Sequence, residues 1–342
     1  MKVSLISPNE LDTALLACWR RIRCENPELA SPFYAPEFTL AVGAVRNDLS
    51  IAVIEAGQNN IAFFPFHRLS LGRGRPVGYT LSDYHGLIAK PSFVIKLPEL
   101  MKACGLYYFP FDHMPQSQLA FAPYAIGMGR SPVMDIRGGI DAYHARLAQQ
   151  QGVGTAGVVR DVGVRLRRME RGLGPIRFEP NSRDHAVFEE LFRWKSAQCL
   201  SKWKARADPF AVGWIRDCLE RVFAAQEREF SGILSALYAG DSLVAAHFGI
   251  QSGSVCHWWF PSYDSAFAYF SPGLALLHSL ARAGSAMGVD LIDLGRGDHD
   301  YKLRFMTDAI SLMEGFVCRP TGLQRLVIPS RELRKWVIGH MR

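Results

Sequence analysis

The stretch from Gly232 to Leu294 most constrains how this chain can fold. Two apolar runs, Gly232-Ile-Leu-Ser-Ala-Leu-Tyr-Ala239 and Leu243-Val-Ala-Ala-His-Phe-Gly-Ile250, flank the polar turn Gly240-Asp-Ser242 and read as a β-hairpin. Val255-Cys-His-Trp-Trp-Phe260 follows as a further strand. Ser271-Pro272-Gly273 then opens a segment whose Leu274, Leu277, Leu280, Ala281 and Gly284 recur at helical spacing, and Val289 to Leu294 reads as a strand again. Strands interrupted by one sharply started helix predict an α/β class with a mixed (α+β) sheet. Ser271 suits the N-cap, and Pro272 suits the first helical position, where its missing N–H would go unpaired anyway. Gly273 lets a ligand approach the backbone, and the exposed N–H groups and helix dipole make this turn an anion seat suited to a pyrophosphate. A well-capped helix without a ligand fits the same local residues.

At 342 residues the chain suggests two domains of about 150 to 180 residues each. A helical stripe at Leu11, Leu15, Cys18, Trp19 and Ile22 follows Asn9 as the expected cap. Leu49 to Ala56 and Ile61 to Phe66 read as a hairpin about the turn Gly57-Gln-Asn-Asn60. Gly105 to Pro110 and Pro132 to Ile136 are strand candidates, and Asp141 to Gln151 a helix. The Gly- and Gln-rich run Gln149 to Gly157 reads as a linker, dividing the chain into residues 1–152 and 158–342. Helices at Asp184–Trp203 and Pro209–Gln226 precede the second hairpin, and a last strand is expected near Ile310–Val317. Glu55-Ala-Gly57 and Tyr238-Ala-Gly240 occupy like places in the two hairpins, which hints at duplicated halves.

The cysteines at 18, 24, 104, 199, 218, 256 and 318 are scattered, without a C-x-x-C pair. They read as reduced thiols, and no disulfide framework or metal site is expected. No apolar run reaches the roughly 20 residues of a membrane span, and Met1 to Glu10 lacks a signal-peptide core, so a cytoplasmic location is expected. The net charge of +7 gathers partly in Arg160, Arg165, Arg167, Arg168 and Arg171, and partly in Arg331, Arg334, Lys335 and Arg342. Such patches suit a phosphorylated ligand, an acidic polymer or an anionic membrane surface, and equally a solvated helix face. No nucleic-acid motif accompanies them. The nucleophile-elbow, phosphate-loop and dinucleotide fingerprints are absent.

The run Gly295-Arg-Gly-Asp298-His-Asp300-Tyr301-Lys302-Leu-Arg304 breaks composition sharply after a buried strand, a position where scaffolds carry chemistry. Lys302 there can stabilise an oxyanion or bind phosphate, and Asp298 or Asp300 can accept a proton. His247, among small apolar residues, is a core histidine or, if its strand lines a cleft, a base. His257 beside Trp258 and Trp259 has the same two readings. Trp194-Lys195 and Trp203-Lys204 read first as helix-face aromatics and second as ligand contacts. Ser82-Asp83-Tyr84-His85-Gly86 forms a polar island, either a turn or an acceptor site.

Several of these residues, taken in order, resemble a known family. Leu243 to Phe248, His257-Trp258, Tyr263-Asp264, Ser271-Pro-Gly273, Gly288 to Gly295 and Tyr301-Lys302 look like the C-terminal half of the CelD/BcsL-type acyltransferases. These belong to the GNAT superfamily and are related to the FemAB peptidyltransferases. Asn26-Pro27, Ser31-Pro-Phe33, Pro36-Glu-Phe38 and Asp83-Tyr84-His-Gly86 match the N-terminal half. The resemblance implies tandem GNAT-like domains, an acyl-CoA donor such as acetyl-CoA with no metal, and an amine or hydroxyl acceptor. That acceptor would be an amino sugar of a bacterial exopolysaccharide or adhesin precursor. It further implies that Ser271, Gly273 and Leu274 cradle the CoA pyrophosphate and that Tyr301 and Lys302 flank the reacting carbonyl. Asp83 and Tyr84 would serve the acceptor side, with Trp258 as a further substrate contact and His247 or Asp298 as base. A synthesis complex at the inner membrane face is the expected partner. The R/Q-x-x-G-x-G/A loop of simpler GNAT enzymes is replaced by Tyr269-Phe-Ser-Pro-Gly273. That departure leaves two alternatives: an aminoacyl transferase using charged tRNA, or a non-catalytic scaffold.

Overall fold

In the computed structural model, which describes residues 1–57, 60–150, 155–202 and 208–319, the apolar runs of the first third pair into an antiparallel sheet. Its order is β1 (Lys2–Ile6), β2 (Leu49–Glu55), β3 (Ile61–Arg68) and β4 (Gly74–Arg75). Two helices, α1 (Thr13–Glu25) and α2 (Pro36–Gly43), accompany it. The cap of α1 is Asp12, whose carboxylate accepts the Leu15 N–H at 2.8 Å, and not Asn9. Asn9 lies in the preceding short turn, closed by Ser7 and Glu10. Further along are α3 (Leu97–Ala103), β5 (Tyr108–Pro115) and β6 (Ala125–Asp135).

Residues 131–309 form a compact unit, and residues 1–130 with the described part of 310–342 form another. The second unit holds α4 (Gly139–Gln149), α5 (Thr155–Leu173), β7 (Ile176–Glu179), α6 (His185–Lys202), α7 (Gly213–Ala224) and the short β8 (Gln226–Glu227). Then come β9 (Phe230–Ala239), β10 (Ser242–Ser252), β11 (Val255–Tyr263), α8 (Pro272–Ala283), β12 (Leu291–Asp293) and α9 (Asp300–Phe305). The sheet runs β6–β12–β11–β10–β9–β7, with only the β11–β12 pair parallel among those described. A parallel pair needs a crossover. Helix α8 supplies it and buries Leu276, Leu277, Leu280 and Ala281 in the unit's core. At about 1.5–3 kcal/mol for each large side chain removed from water, that stripe holds the helix on the sheet.

The expected strand near Ile310–Val317 forms as β13 (Asp308–Cys318), but it pairs with β5 of the first unit, Leu312 facing Pro115 and Val317 facing Phe109. The end of β6 and helix α4 in turn join the second unit: Met134 pairs with Ile292, and the Tyr143 hydroxyl donates to the Phe305 carbonyl at 2.7 Å. The two compact units therefore do not divide the chain at Gln149–Gly157. All seven cysteines are free, and Cys104, Cys199, Cys218 and Cys256 are buried. Trp203-Lys204 and the C-terminal basic cluster lie outside the described residues.

Candidate active site

Strands β11 and β12 stay together for three residue pairs, ending at His257 opposite Asp293. Beyond that point β12 stops while β11 continues to Tyr263, and its free stretch lines a cavity of about 440 Å³ with Trp258, Ser262 and Tyr263. Ser271, Gly273 and Leu274 bring the start of α8 to the same cavity, and Tyr301 arrives from α9. The structure thus brings Trp258, the Ser-Pro-Gly turn and Tyr301 together at one cavity.

Ser271 reaches the cavity, but not as a cap. Its φ of 53° and ψ of 53° put it in the left-handed region, at a cost of order 1 kcal/mol for a residue with a side chain, and its hydroxyl makes no cap bond. The hydroxyl instead accepts the Arg165 Nη1–H at 2.5 Å, and the Arg168 guanidinium stacks 3.9 Å from the centre of the Tyr269 ring. Part of the arginine-rich face of α5 therefore lies against this turn and makes it electropositive. Pro272 occupies the first turn, as expected. A Cβ added at Gly273 would meet only Tyr263 Cδ1, at an ordinary 3.6 Å. The protein's own packing does not demand glycine at this position.

Tyr301 is largely buried, and burial pushes its phenol up to about 12. The Trp258 indole N–H lies near enough to oppose that shift, though no full hydrogen bond joins the two. The phenol keeps its proton throughout the physiological range and can donate it in a hydrogen bond. His299, on the same wall, lies over Tyr301 with ring centroids 6.3 Å apart and planes 12° off parallel. Ser262 and Trp258 each present a buried polar atom without a hydrogen-bond partner.

Three expected catalytic residues stand elsewhere. His247 is fully buried and does not line the cavity. Its ring stacks on Trp258 at 4.0 Å, and its Nε2 accepts the Trp259 N–H at 3.3 Å. Burial, aided by the neighbouring His257, holds its pKa well below the usual imidazole value. It backs Trp258 rather than serving as a base at the cavity. Lys302 is buried and donates to the carbonyls of Gly295 (2.9 Å) and Arg296 (3.0 Å), so its ammonium braces the charged loop and not an oxyanion in the cavity. Asp298 is exposed in that loop and outside the cavity wall. The loop's root is held by buried Asp293, which accepts Ser131 Oγ–H at 2.5 Å and Gly295 N–H at 2.9 Å.

Asp83 and Tyr84 belong to the first unit. Tyr84 is buried beside Phe33 and Tyr34, an aromatic core position, and Asp83 faces His113 at 3.6 Å. Gln198 on α6, Pro261, Ser262 and Ala268 are wall residues that the sequence reading did not single out, while Lys195, Tyr263 and His299 were named there without a role at this cavity.

Comparison with known proteins agrees with this geometry. Residues 158–303, which include the whole cavity wall, match the family described as an acetyltransferase (GNAT) domain. The chain has the GNAT fold. The solved structure of FemX superposes with a TM-score of 0.59 at 9% identity, covering 96% of this chain and 100% of that one. The C-terminal domain of a lysylphosphatidylglycerol synthetase of Agrobacterium fabrum gives 0.53 at 12%, covering 94% and 96%. A tandem GNAT protein from the clavulanic acid biosynthesis pathway gives 0.51 at 10%, covering 94% and 100%. These likenesses concern the fold. No curated protein matches the chain.

Proposed function

We propose that the second unit is an acyl-CoA-dependent N-acyltransferase, with acetyl-CoA as donor and an amino sugar of a bacterial exopolysaccharide or adhesin precursor as acceptor. The observation that carries this reading is one cavity joining a helix N-terminus, flanked by arginines, to a buried phenol that holds its proton. The first is the chemistry a pyrophosphate needs, and the second is the chemistry a developing oxyanion needs. Gly273 and Leu274 line the wall where the pyrophosphate would rest, and Tyr301 and Trp258 line the wall where the thioester would lie. The neutral amine attacks the thioester carbonyl carbon, a C–N bond forms, and the C–S bond breaks to release CoA as a thiolate, which then takes a proton from the His299 imidazolium or from solvent. Tyr301 O–H donates to the oxygen as its charge grows. His299, the imidazole on the wall, takes the amine's proton. Much of the rate comes from alignment.

The assay is thiol release from acetyl-CoA with a panel of amino sugars and their nucleotide-linked forms. Turnover that depends on both substrates supports the reading, and no acceptor-dependent release with any acyl-CoA rejects it. The five arginines along α5, two of them on the donor turn, favour a second reading in which a longer polyanion, the acceptor end of an aminoacyl-tRNA, supplies the acyl group. Transfer of a labelled amino acid from charged tRNA, with no response to acetyl-CoA, selects it. No helix among the described residues is long and apolar enough to cross a membrane. For either reading we propose a cytoplasmic location, with peripheral contact at the inner face of the membrane as an additional proposal.

A further inference from the structure

We propose that His85, Asp112 and His113 of the first unit bind a divalent transition-metal ion of the zinc class. Residue spacing does not announce this site, because its members meet only through the fold. Strand β5 pairs with β13 through Phe111 opposite Gly315 and Met114 opposite Met313, so Asp112 and His113 together oppose the single residue Glu314. This bulge lets two adjacent side chains, which in a regular strand point to opposite faces, reach one place. The backbone N–H of His85 donates to the His113 carbonyl at 3.1 Å and brings the polar island Ser82–Gly86 to that place.

The decisive group is His85. Its side chain is 2% exposed, and its Nε2 lies 3.2 Å from the Ser82 carbonyl oxygen, which can only accept. Nε2 therefore carries the proton and Nδ1 presents a lone pair. That buried Nδ1 has no hydrogen-bond partner, and Asp112 Oδ1, itself an acceptor, lies 3.7 Å away. Two acceptors aimed at one point repel each other unless a cation, or the O–H groups of a water, sit between them, and a bound metal ion answers both at once. Hydrogen bonding inside the cluster does not answer the lone pair: His113 Nδ1 stands 2.9 Å from the same Asp112 oxygen, and any proton on it is directed there. The three candidate ligand atoms lie within 4.8 Å of one another. A tetrahedral zinc ion with bonds of about 2.0–2.2 Å sets its ligands roughly 3.4 Å apart, so the 2.9 and 3.7 Å spacings bracket the requirement. Outer partners are present as well: the Ser82 carbonyl orients His85, and Asp83 Oδ1 stands 3.6 Å from His113 Nε2. Carboxylates and carbonyls behind imidazoles are the usual support of metal-binding histidines. Asp112 is 63% exposed, so a fourth position faces solvent and takes water. A second cluster, His185, Glu189 and Glu220, lacks this logic, because Arg216 already pairs with both glutamates.

The test is calorimetry of zinc chloride into the full chain after chelator treatment, in a non-coordinating buffer. One zinc per chain is expected, with a raised melting temperature. Asp112→Asn and His113→Ala should each weaken binding by more than about tenfold, the lower bound seen even for loss of an outer partner, while Glu220→Gln leaves it unchanged. Cobalt(II) added to the wild-type chain should give the intense visible absorption of a tetrahedral site, a readout independent of any variant. A folded chain that binds no stoichiometric zinc, or binding that survives both substitutions, overturns the proposal.

Discussion

Replacing Tyr301 by Phe removes one hydroxyl from the cavity wall and keeps the ring that lies against His299. The phenol sits at about 12. A thiol resembling cysteine sits near 8.5, so complete proton transfer from Tyr301 to a departing thiolate is uphill by roughly 3.5 pK units, or about 5 kcal/mol. Tyr301 is therefore a hydrogen-bond donor in the transition state, not a group that surrenders its proton there. Loss of one such donor costs about 10²–10³ in kcat, or roughly 2.7–4 kcal/mol. The bond strengthens only as charge develops, so KM should move little. Stability should shift by less than about 1 kcal/mol, since the hydroxyl has little net worth to folding. The assay is thiol release at saturating acetyl-CoA and acceptor, between about pH 6 and 9. A variant within about threefold of wild-type kcat refutes the role, because the corresponding energy is under about 1 kcal/mol. An alkaline fall in wild-type kcat below about pH 10 that vanishes in the variant contradicts the raised phenol.

The other predictions concern the frame around the cavity. Lys302→Ala deprives the Gly295 and Arg296 carbonyls of their buried ammonium and should cost about 2–4 kcal/mol of stability by urea unfolding; a collapse of turnover with unchanged stability would restore a catalytic role. Gly249→Ala would put a Cβ 2.4 Å from the His257 carbonyl oxygen and 2.5 Å from the His247 ring, so it should lose about 1–3 kcal/mol; an unshifted melting temperature contradicts that packing. Burial first, then His144 and Arg282, push His278 down to about 4. Because the folded value is depressed below the unfolded value of about 6.5, its contribution is complete above that pH and is lost as pH falls toward 4, at most about 3 kcal/mol in all. His278→Gln should flatten that acid slope, and an identical slope in the variant refutes the assignment.

Local chemistry made much of this fold legible. Both hairpins, the strand Val255 to Phe260 and the helix after Ser271 declare themselves through alternation, polar turns and a proline placed at the first turn. Partner choice did not. The strand Asp308–Cys318 looks the same in sequence whichever strand it pairs with, and its return to β5 is set by contacts far away along the chain. Side-chain direction was the second blind spot. Lys302 and Tyr301 are neighbours, yet one helical step sends the ammonium to two loop carbonyls and the phenol to the cavity. His247 looked like a base only while the face it presents was unknown; it proves to be packing for Trp258. The site at His85 needed a bulge that leaves no mark in the residue pattern.

The central claim, a donor anion seated at the start of α8, is tested most directly by calorimetry with acetyl-CoA and free CoA, on wild type and on Gly273→Asp. A side chain at this position meets only an ordinary contact, and an added carboxylate in the first turn favours the helix dipole by about 0.3–1 kcal/mol. The variant should therefore melt at or slightly above the wild-type temperature. Micromolar binding of both ligands by wild type, lost in this folded variant, is the predicted result. Binding of equal strength in the two proteins, or no binding of either ligand by wild type, would contradict the account.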